Sequence, residues 1–337
     1  MIVSGEKELK KIPKVSVVMP IYNGEKHLGE AIQSVLNNTY KDFELILIIE
    51  YGSNEKSKEI ARGFSDSRIN IIENVSRLGL AESLNVGIRH ARGEYIARMD
   101  ADDISYPNRI GLQVDFLDKH KDIAIVGANA LINGKKYRKT KLPQQSEEIR
   151  FVTFFRNAMI HPSVMWKKSV LEANNIYYSD VEHSEDYELW TRVVDRCKLY
   201  NLPQAVIAYR VDGTGKSMTS DWQQSTYEMR NELLKKHGVQ FDTLESFFEK
   251  SSSRRIFDSK CDAIRKVTSE FEFESIRRVF TRETAKMFVI NEIKNPKRLY
   301  SCFRELYKPI NLPYIYFVYG MELIKYSVRD VFVRKVK

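Results

Sequence analysis

Two apolar runs of strand length, with an amphipathic segment between them, limit what this chain can fold into more than any other feature. Val15-Ser-Val-Val-Met-Pro20 and Phe43-Glu-Leu-Ile-Leu-Ile-Ile49 are nearly continuous in apolar residues, as strands are when a parallel sheet is covered on both faces. Between them Leu28, Ala31, Ile32, Val35 and Leu36 recur at helical spacing. That spacing predicts a helix over residues 25–37 crossing back over the sheet. The cycle repeats with a helix over 56–64, a strand over 69–72, a helix over 80–91 and a strand over 95–99. Such alternation predicts an α/β fold with a mostly parallel sheet flanked by helices, of the kind that binds nucleotides.

The strand over 95–99 is followed at once by Asp100, Asp102 and Asp103, ahead of the turn-forming Ser105-Tyr-Pro107. In an open α/β sheet, ligands sit beyond the carboxyl ends of the strands, so these carboxylates face a binding crevice. Asp100 and Asp102 are hard oxygen donors of the type that holds Mg²⁺ or Mn²⁺ against a diphosphate. An isolated D-x-D is also common as a solvated acidic loop, and the surrounding sequence decides between the two.

Further along, the pattern predicts a helix to about Lys119, a strand over 123–129, a polar loop over 133–148 and a strand over 161–166. In Ser184-Glu-Asp-Tyr-Glu-Leu-Trp-Thr-Arg-Val-Val194, Leu189, Trp190, Val193 and Val194 form a buried helix face, while Ser184, Glu185, Asp186 and Glu188 load the first turn. Acid there is explained by the helix dipole, worth about 0.3–1 kcal/mol, with catalysis as the alternative. His161, ahead of Pro162, reads as a structural histidine with the acceptor site as its alternative role. Arg98 and Arg210 are placed either to touch phosphate or to form ion pairs.

Composition narrows the setting. With 43% hydrophobic and 29% charged residues, the 337-residue chain has enough apolar content for one large core or two modest ones. Three widely spaced cysteines, Cys197, Cys261 and Cys302, support neither a disulfide framework nor a zinc site. The first 14 residues are polar and no run of 18 apolar residues occurs, so the expectation is a cytoplasmic protein. Net charge is +9, concentrated toward the end: nine Lys/Arg stand against three acids between Pro296 and Lys337. There Phe317, Met321, Ile324, Val328 and Phe332 share one helical stripe and Glu322, Lys325 and Arg329 another. This fits either a helix lying on an anionic membrane surface or one packed on the catalytic domain or a second subunit. No nucleic-acid recognition motif accompanies the charge.

Four stretches resemble, in order and approximate spacing, the family-2 glycosyltransferases of GT-A fold: Val17-Val-Met-Pro-Ile-Tyr-Asn-Gly24, Glu50-Tyr-Gly-Ser-Asn54, Arg98-Met-Asp-Ala-Asp-Asp103 and Glu185-Asp-Tyr-Glu-Leu-Trp190. The resemblance covers residues 14–215. It implies a Rossmann-like GT-A catalytic domain over 14–220, after a tail of 1–13 and before a helical, basic C-terminal region of 221–337. It further implies an inverting transfer of one sugar from a nucleotide-sugar to a hydroxyl of a glycan or lipid-linked acceptor. Pro20, Tyr22, Asn23, Glu50, Tyr51, Asp100, Ala101 and Asp102 would bind the nucleotide-sugar. Asp102 and Asp100 would hold the metal and Asp186 would act as general base, with Glu185, Trp190 and His161 as acceptor-site candidates.

Three departures from the family pattern stand out. Tyr51 replaces an aspartate that normally meets the base, which leaves the nucleobase open with UDP leading. Tyr209-Arg-Val-Asp212 ends in aspartate where the family has histidine, making Asp212 the alternative metal ligand. A Gln-x-x-Arg-Trp run and a multi-span membrane region are both missing, which favours a one-sugar transferase over a polymerase. The rival reading is a catalytically silent, membrane-associated nucleotide-sugar-binding protein of the same fold. A nucleotidyltransferase is weaker, because no glycine- and lysine-rich phosphate loop follows the first strand.

Overall fold

A computed structural model of the protein describes residues 11–133, 137–181, 183–211, 220–238, 266–267 and 269–271. In chain order these form β1 (Val15–Ile21), α1 (Leu28–Leu36), β2 (Phe43–Ile49), α2 (Glu55–Arg62), β3 (Ile69–Glu73), α3 (Gly79–His90), β4 (Tyr95–Arg98) and β5 (Ile104–Ser105). Then follow α4 (Arg109–Lys119), β6 (Ile123–Asn133), β7 (Arg138–Lys139), α5 (Ser146–Thr153), a 3₁₀ turn (His161–Ser163), β8 (Met165–Lys167), α6 (Lys168–Ala173), α7 (Glu185–Val193), β9 (Lys198–Arg210) and α8 (Ser220–Lys236). Two compact units result: Met1–Ser146 with Asn157–Thr226, and Glu147–Arg156 with Tyr227–Lys337.

The first unit is built on a sheet of order β3-β2-β1-β4-β8-β6-β9-β5, with β7 beside β6. Strands β3, β2, β1 and β4 run parallel, so their carboxyl ends share one edge. Every residue of β2 is buried, as its unbroken apolar run requires when helices cover both faces. On α1, Leu28, Ala31, Ile32, Val35 and Leu36 are the buried face, as the spacing predicts. The helix begins at Leu28 and not at residue 25, because Glu25 is drawn away from the helix. Its carboxylate accepts the Asn54 amide at 2.8 Å and the Ser57 hydroxyl at 3.3 Å.

Other differences have equally local causes. β9 is 13 residues long, yet the sequence does not signal it, because Pro203 interrupts the pattern. Its pairing with β6 shifts register between Ala128 and Asn129, and proline is accommodated where a strand bulges. The predicted strand over 161–166 is instead a 3₁₀ turn leading into a short strand. Part of the predicted loop over 133–148 is fastened down: Thr140 and Leu142 hydrogen-bond to Asn129, and Asn201 Nδ2 donates to the Pro143 carbonyl. Cys197 is a thiol without a disulfide; Cys261, Cys302 and the stripe over 317–332 lie outside the described residues. The second unit, taken by itself, gathers Phe151, Phe154 and Phe271 edge to face, with Glu270 accepting from Arg150 at 3.0 Å and His237 at 2.7 Å.

Where β4 meets β1, backbone approaches backbone. A Cβ on Gly93 would lie 2.6 Å from the Ser16 nitrogen and 2.7 Å from the Val15 carbonyl carbon, atoms that cannot swing aside. Gly93→Ala is therefore expected to lose about 1–3 kcal/mol of stability in urea unfolding. In the same measurement Gly29→Ala, whose new methyl meets only Ile60 at 3.8 Å, should be neutral or stabilising.

Candidate active site

At the shared carboxyl edge each strand delivers a different chemistry. After β1, Pro20 is partly buried, Tyr22 is exposed, and Asn23 takes a left-handed φ of 49°. That turn lets Asn23 Oδ1 accept the Asn54 backbone N–H at 2.9 Å, tying the loop after β1 to the N-cap of α2. After β2, Glu50 is buried. Its Oε1 accepts the N–H groups of Tyr51 (2.8 Å) and Leu78 (3.0 Å), and Oε2 accepts the Ser83 hydroxyl at 2.8 Å. The carboxylate thus fastens the end of β2 to the start of α3, and the Tyr51 ring is left exposed. Arg77 lies 6.0 Å from the centroid of the Tyr22 ring. The edge here offers aromatic faces and one cation.

After β4 come the acids. Ligating oxygens of Asp100, Asp102 and Asp103 lie within 4.8 Å of one another. Asp102 is exposed, Asp100 is half-buried, and Asp103 is buried. Asp103 Oδ1 accepts the Arg210 backbone N–H at 2.9 Å, while Oδ2, also buried, meets no hydrogen-bond donor among the described residues. Burial and the Asp100 charge push the Asp103 carboxyl up to about 8. Three clustered carboxylates with one buried oxygen lacking a donor fit a hard divalent cation. Asp212, the expected third ligand, lies outside the described residues. The sequence reading set Asp103 among the acids facing the crevice but not among the metal ligands, because only topology, bringing β9 against β5, reveals its burial. Ala101 abuts Gly24, where an added Cβ would lie 3.7 Å away, so this loop rests on the loop after β1.

Beneath the acids lies Arg98, buried and ion-paired with Asp100. Burial alone would lower its pKa, but the Asp100 carboxylate holds the guanidinium above its usual range. Arg109, also buried, donates to the Arg98 carbonyl at 2.6 Å and to Gln113 at 3.1 Å. Burial, with the Arg98 charge, pushes it down to about 9. Arg210, the other arginine singled out, pairs with Glu30.

A second set of acids reaches the same arginine. Asp186, on the first turn of α7, accepts the Asn157 amide at 2.5 Å and the Tyr187 backbone N–H at 2.7 Å. Burial, then the Glu185 charge, push its pKa up to about 6, opposed by those two hydrogen bonds and by Arg98. His161 is buried, with Nε2 2.6 Å from the Tyr178 hydroxyl and Nδ1 4.0 Å from Glu185. Burial and the Arg98 charge hold it well below its ordinary pKa, hence neutral. Trp190 is fully enclosed, its ring edge-on to His161 at 6.2 Å, and offers no surface to an acceptor. Ser184 does not cap α7 through its side chain; its φ is 60° and its hydroxyl meets Thr226 at 2.7 Å. Asn157 was not singled out from sequence, since a lone asparagine in an apolar run carries no spacing signal.

An α/β sheet with an acidic cluster beyond the fourth strand, and a second carboxylate near the same buried arginine, has the form expected of a glycosyltransferase. Comparison with known proteins agrees. Residues 16–173 match the family model "Glycosyl transferase family 2". EpsE of Bacillus subtilis (strain 168), described as a glycosyltransferase, is 35% identical over 234 residues, covering 66% of this chain and 80% of that protein. WbnJ of Escherichia coli, an O-antigen biosynthesis glycosyltransferase, is 31% identical over 242 residues, covering 68% and 93%. The fold is similar to S. aureus TarS 1-349 in complex with UDP-GlcNAc, with a TM-score of 0.55 at 15% identity over 78% of this chain and 82% of that one. It is also similar to the mannosyltransferase PcManGT of Pyrobaculum calidifontis in complex with GDP-Man and Mn²⁺, with a TM-score of 0.51 at 14% identity over 89% and 88%. The chain belongs to glycosyl transferase family 2 and is a glycosyltransferase of GT-A fold.

The buried half of the Arg98–Asp100 pair makes a direct demand on stability. Removing the partner of a buried charge strands it, so Asp100→Ala, which leaves the enclosed Arg98 guanidinium unpaired, should cost about 3–5 kcal/mol in urea unfolding. The exposed pair Lys198–Asp122 serves as control, and Lys198→Met should change stability by less than about 1 kcal/mol.

Proposed function

We propose that the chain transfers one sugar, with inversion, from a nucleoside-diphosphate donor to a hydroxyl of a glycan or lipid-linked acceptor, with UDP the leading nucleotide. The observation that carries the reading is the pair of acid sets facing one buried arginine, Asp100 with Asp102 and Asp103 on one side and Asp186 on the other. The names of the relatives, and the UDP-GlcNAc and GDP-Man held by the structural neighbours, support it.

In this reading Tyr22 and Tyr51 offer ring faces to the base, Pro20 and Asn23 shape the ribose side, and Glu50 holds that wall together from behind. Asp100, Asp102 and Asp103 would hold Mg²⁺ or Mn²⁺. Bound there, such a cation neutralises the charge that grows on the departing diphosphate. Asp186 stands on the acceptor side with Glu185 and His161. Its carboxylate takes the proton of the acceptor hydroxyl as oxygen bonds to the anomeric carbon. The bond to the diphosphate breaks with its electron pair leaving on the diphosphate oxygen, and attack from the opposite face inverts the centre. Burial and the Arg98 charge hold the His161 pKa well below its ordinary value, so the imidazole is a weak proton acceptor and the carboxylate takes that role.

Incubation with a panel of nucleotide-sugars and Mn²⁺ tests the whole reading, because a transferase hydrolyses its donor slowly when water is the only acceptor. Loss of that hydrolysis in Asp102→Ala supports it. Nucleotide binding without any turnover in the unmodified protein overturns it in favour of a silent binding protein. Asp186→Asn should lower turnover about 10²–10⁴-fold while keeping donor affinity. A base works only when deprotonated, so kcat/KM should rise with pH through a midpoint near the pKa of about 6 that Asp186 holds.

No helix among the described residues is long and apolar enough to cross a membrane. For residues 296–337, outside the described set, we propose attachment to an anionic bilayer surface facing the cytoplasm, on the basis of their charge excess. Flotation with anionic liposomes should separate the full chain from one truncated at Pro296; equal partitioning removes the idea.

A further inference from the structure

The geometry points to Asn157 as the positioning residue of the general base: its side-chain amide clamps one oxygen of Asp186 and so fixes where the carboxylate meets the acceptor hydroxyl. This rests on the reading of Asp186 as that base.

The orientation of the amide is forced. Asn157 Oδ1 accepts the Met159 backbone N–H at 3.2 Å, and a backbone N–H can only donate, so the NH₂ end must point the other way. There it meets Asp186 Oδ2 at 2.5 Å. The remaining oxygen, Oδ1, is held by the Tyr187 N–H, which belongs to α7 and moves with it. Asn157 therefore supplies the anchor from outside the helix, 29 residues earlier in the chain. Each carboxylate oxygen has two lone-pair sites, so one hydrogen bond at each still leaves room for the incoming proton.

The surrounding charges show why the anchor is a neutral donor. Glu185, beside Asp186 on α7, opposes its ionisation, and Arg98 at the end of β4 favours it. Tyr178 and His161, the titratable groups on the neighbouring segments, are both kept neutral by burial. Asn157 is the uncharged donor that favours the ionised base against burial. Without it the carboxylate loses one fixed contact and keeps its proton to a higher pH. An aspartate of the same shape would set a second carboxyl against the first and raise the pKa further.

The test uses the full chain, the best-hydrolysed donor of the nucleotide-sugar panel and water as acceptor, with rates followed from pH 4.5 to 9. Asn157→Ala should lower kcat roughly 10–100-fold near neutrality, leave donor affinity within about twofold, and move the acid limb up by roughly one pH unit, so that the deficit narrows as pH rises. Asn157→Asp, which preserves shape and guards against misfolding of the alanine variant, should move the limb further in the same direction. An unchanged limb in both variants, or a loss equal at every pH, overturns the positioning role while Asp186→Asn remains inactive. Full activity of Asp186→Asn would instead overturn the base assignment itself.

Discussion

The site depends on one buried ion pair. Arg98 is the last residue of β4, enclosed on all sides, and a lone guanidinium there would be untenable; the Asp100 carboxylate makes it tolerable. The pairing has a consequence at each end. On the strand side, the Arg98 carbonyl accepts from Arg109, so the strand terminus is held by a second arginine reaching in from α4. On the site side, Asp100 carries its ion pair with Arg98 into a cluster with Asp102 and Asp103 less than 5 Å across. The same positive charge reaches Asp186, Glu185 and His161, biasing the first toward ionisation and the last toward neutrality. One cation thus acts, alongside the larger effect of burial, on acids more than 80 residues apart in sequence.

What was legible in the sequence was what local pattern encodes. The parallel half of the sheet, β1 to β4 with α1 to α3, follows from apolar runs and helical spacing, and the acids after β4 follow from position alone. Non-local features were less accessible. β9 was hidden by Pro203, whose bulge is readable only once β6 lies beside it. The burial of Asp103 required Arg210 to arrive from β9. Asn157 carries no periodic signal, and its meaning appears only when α7 folds back toward it. Ser184, in the form of a helix cap by composition, was diverted to Thr226 by its left-handed backbone.

Glu50 illustrates how residue type and role can separate. Set where the family pattern has an acid, it has both oxygens occupied within the fold, by two backbone N–H groups and one hydroxyl. Such a carboxylate organises the fold, joining the end of β2 to the start of α3. What remains turned outward is Tyr51, with Tyr22 and Arg77 nearby on the neighbouring loops. An aromatic face accepts any base by stacking, whereas a carboxylate selects hydrogen-bond donors. On the proposed reading, Tyr51 in place of the acid would shift recognition at this end from hydrogen bonding toward stacking.

The carboxylate on α7 is placed by different means from the acids after β4. The metal-type acids follow directly from a sheet strand, where position is fixed by a ladder of hydrogen bonds. Asp186 instead rides on the first turn of a nine-residue helix, whose placement must be imposed from outside. Ser184 enters that helix at a φ of 60°, an uncommon conformation for a residue with a side chain, and persists there because its hydroxyl is fixed by Thr226. Glu185, Asp186 and Glu188 occupy the first turn, where the helix dipole favours negative charge. Burial works against that charge, and Asn157 works for it. The balance leaves a carboxylate that is ionised at neutral pH yet basic enough to accept a proton, which is the state a base needs and which neither burial nor the dipole would produce alone.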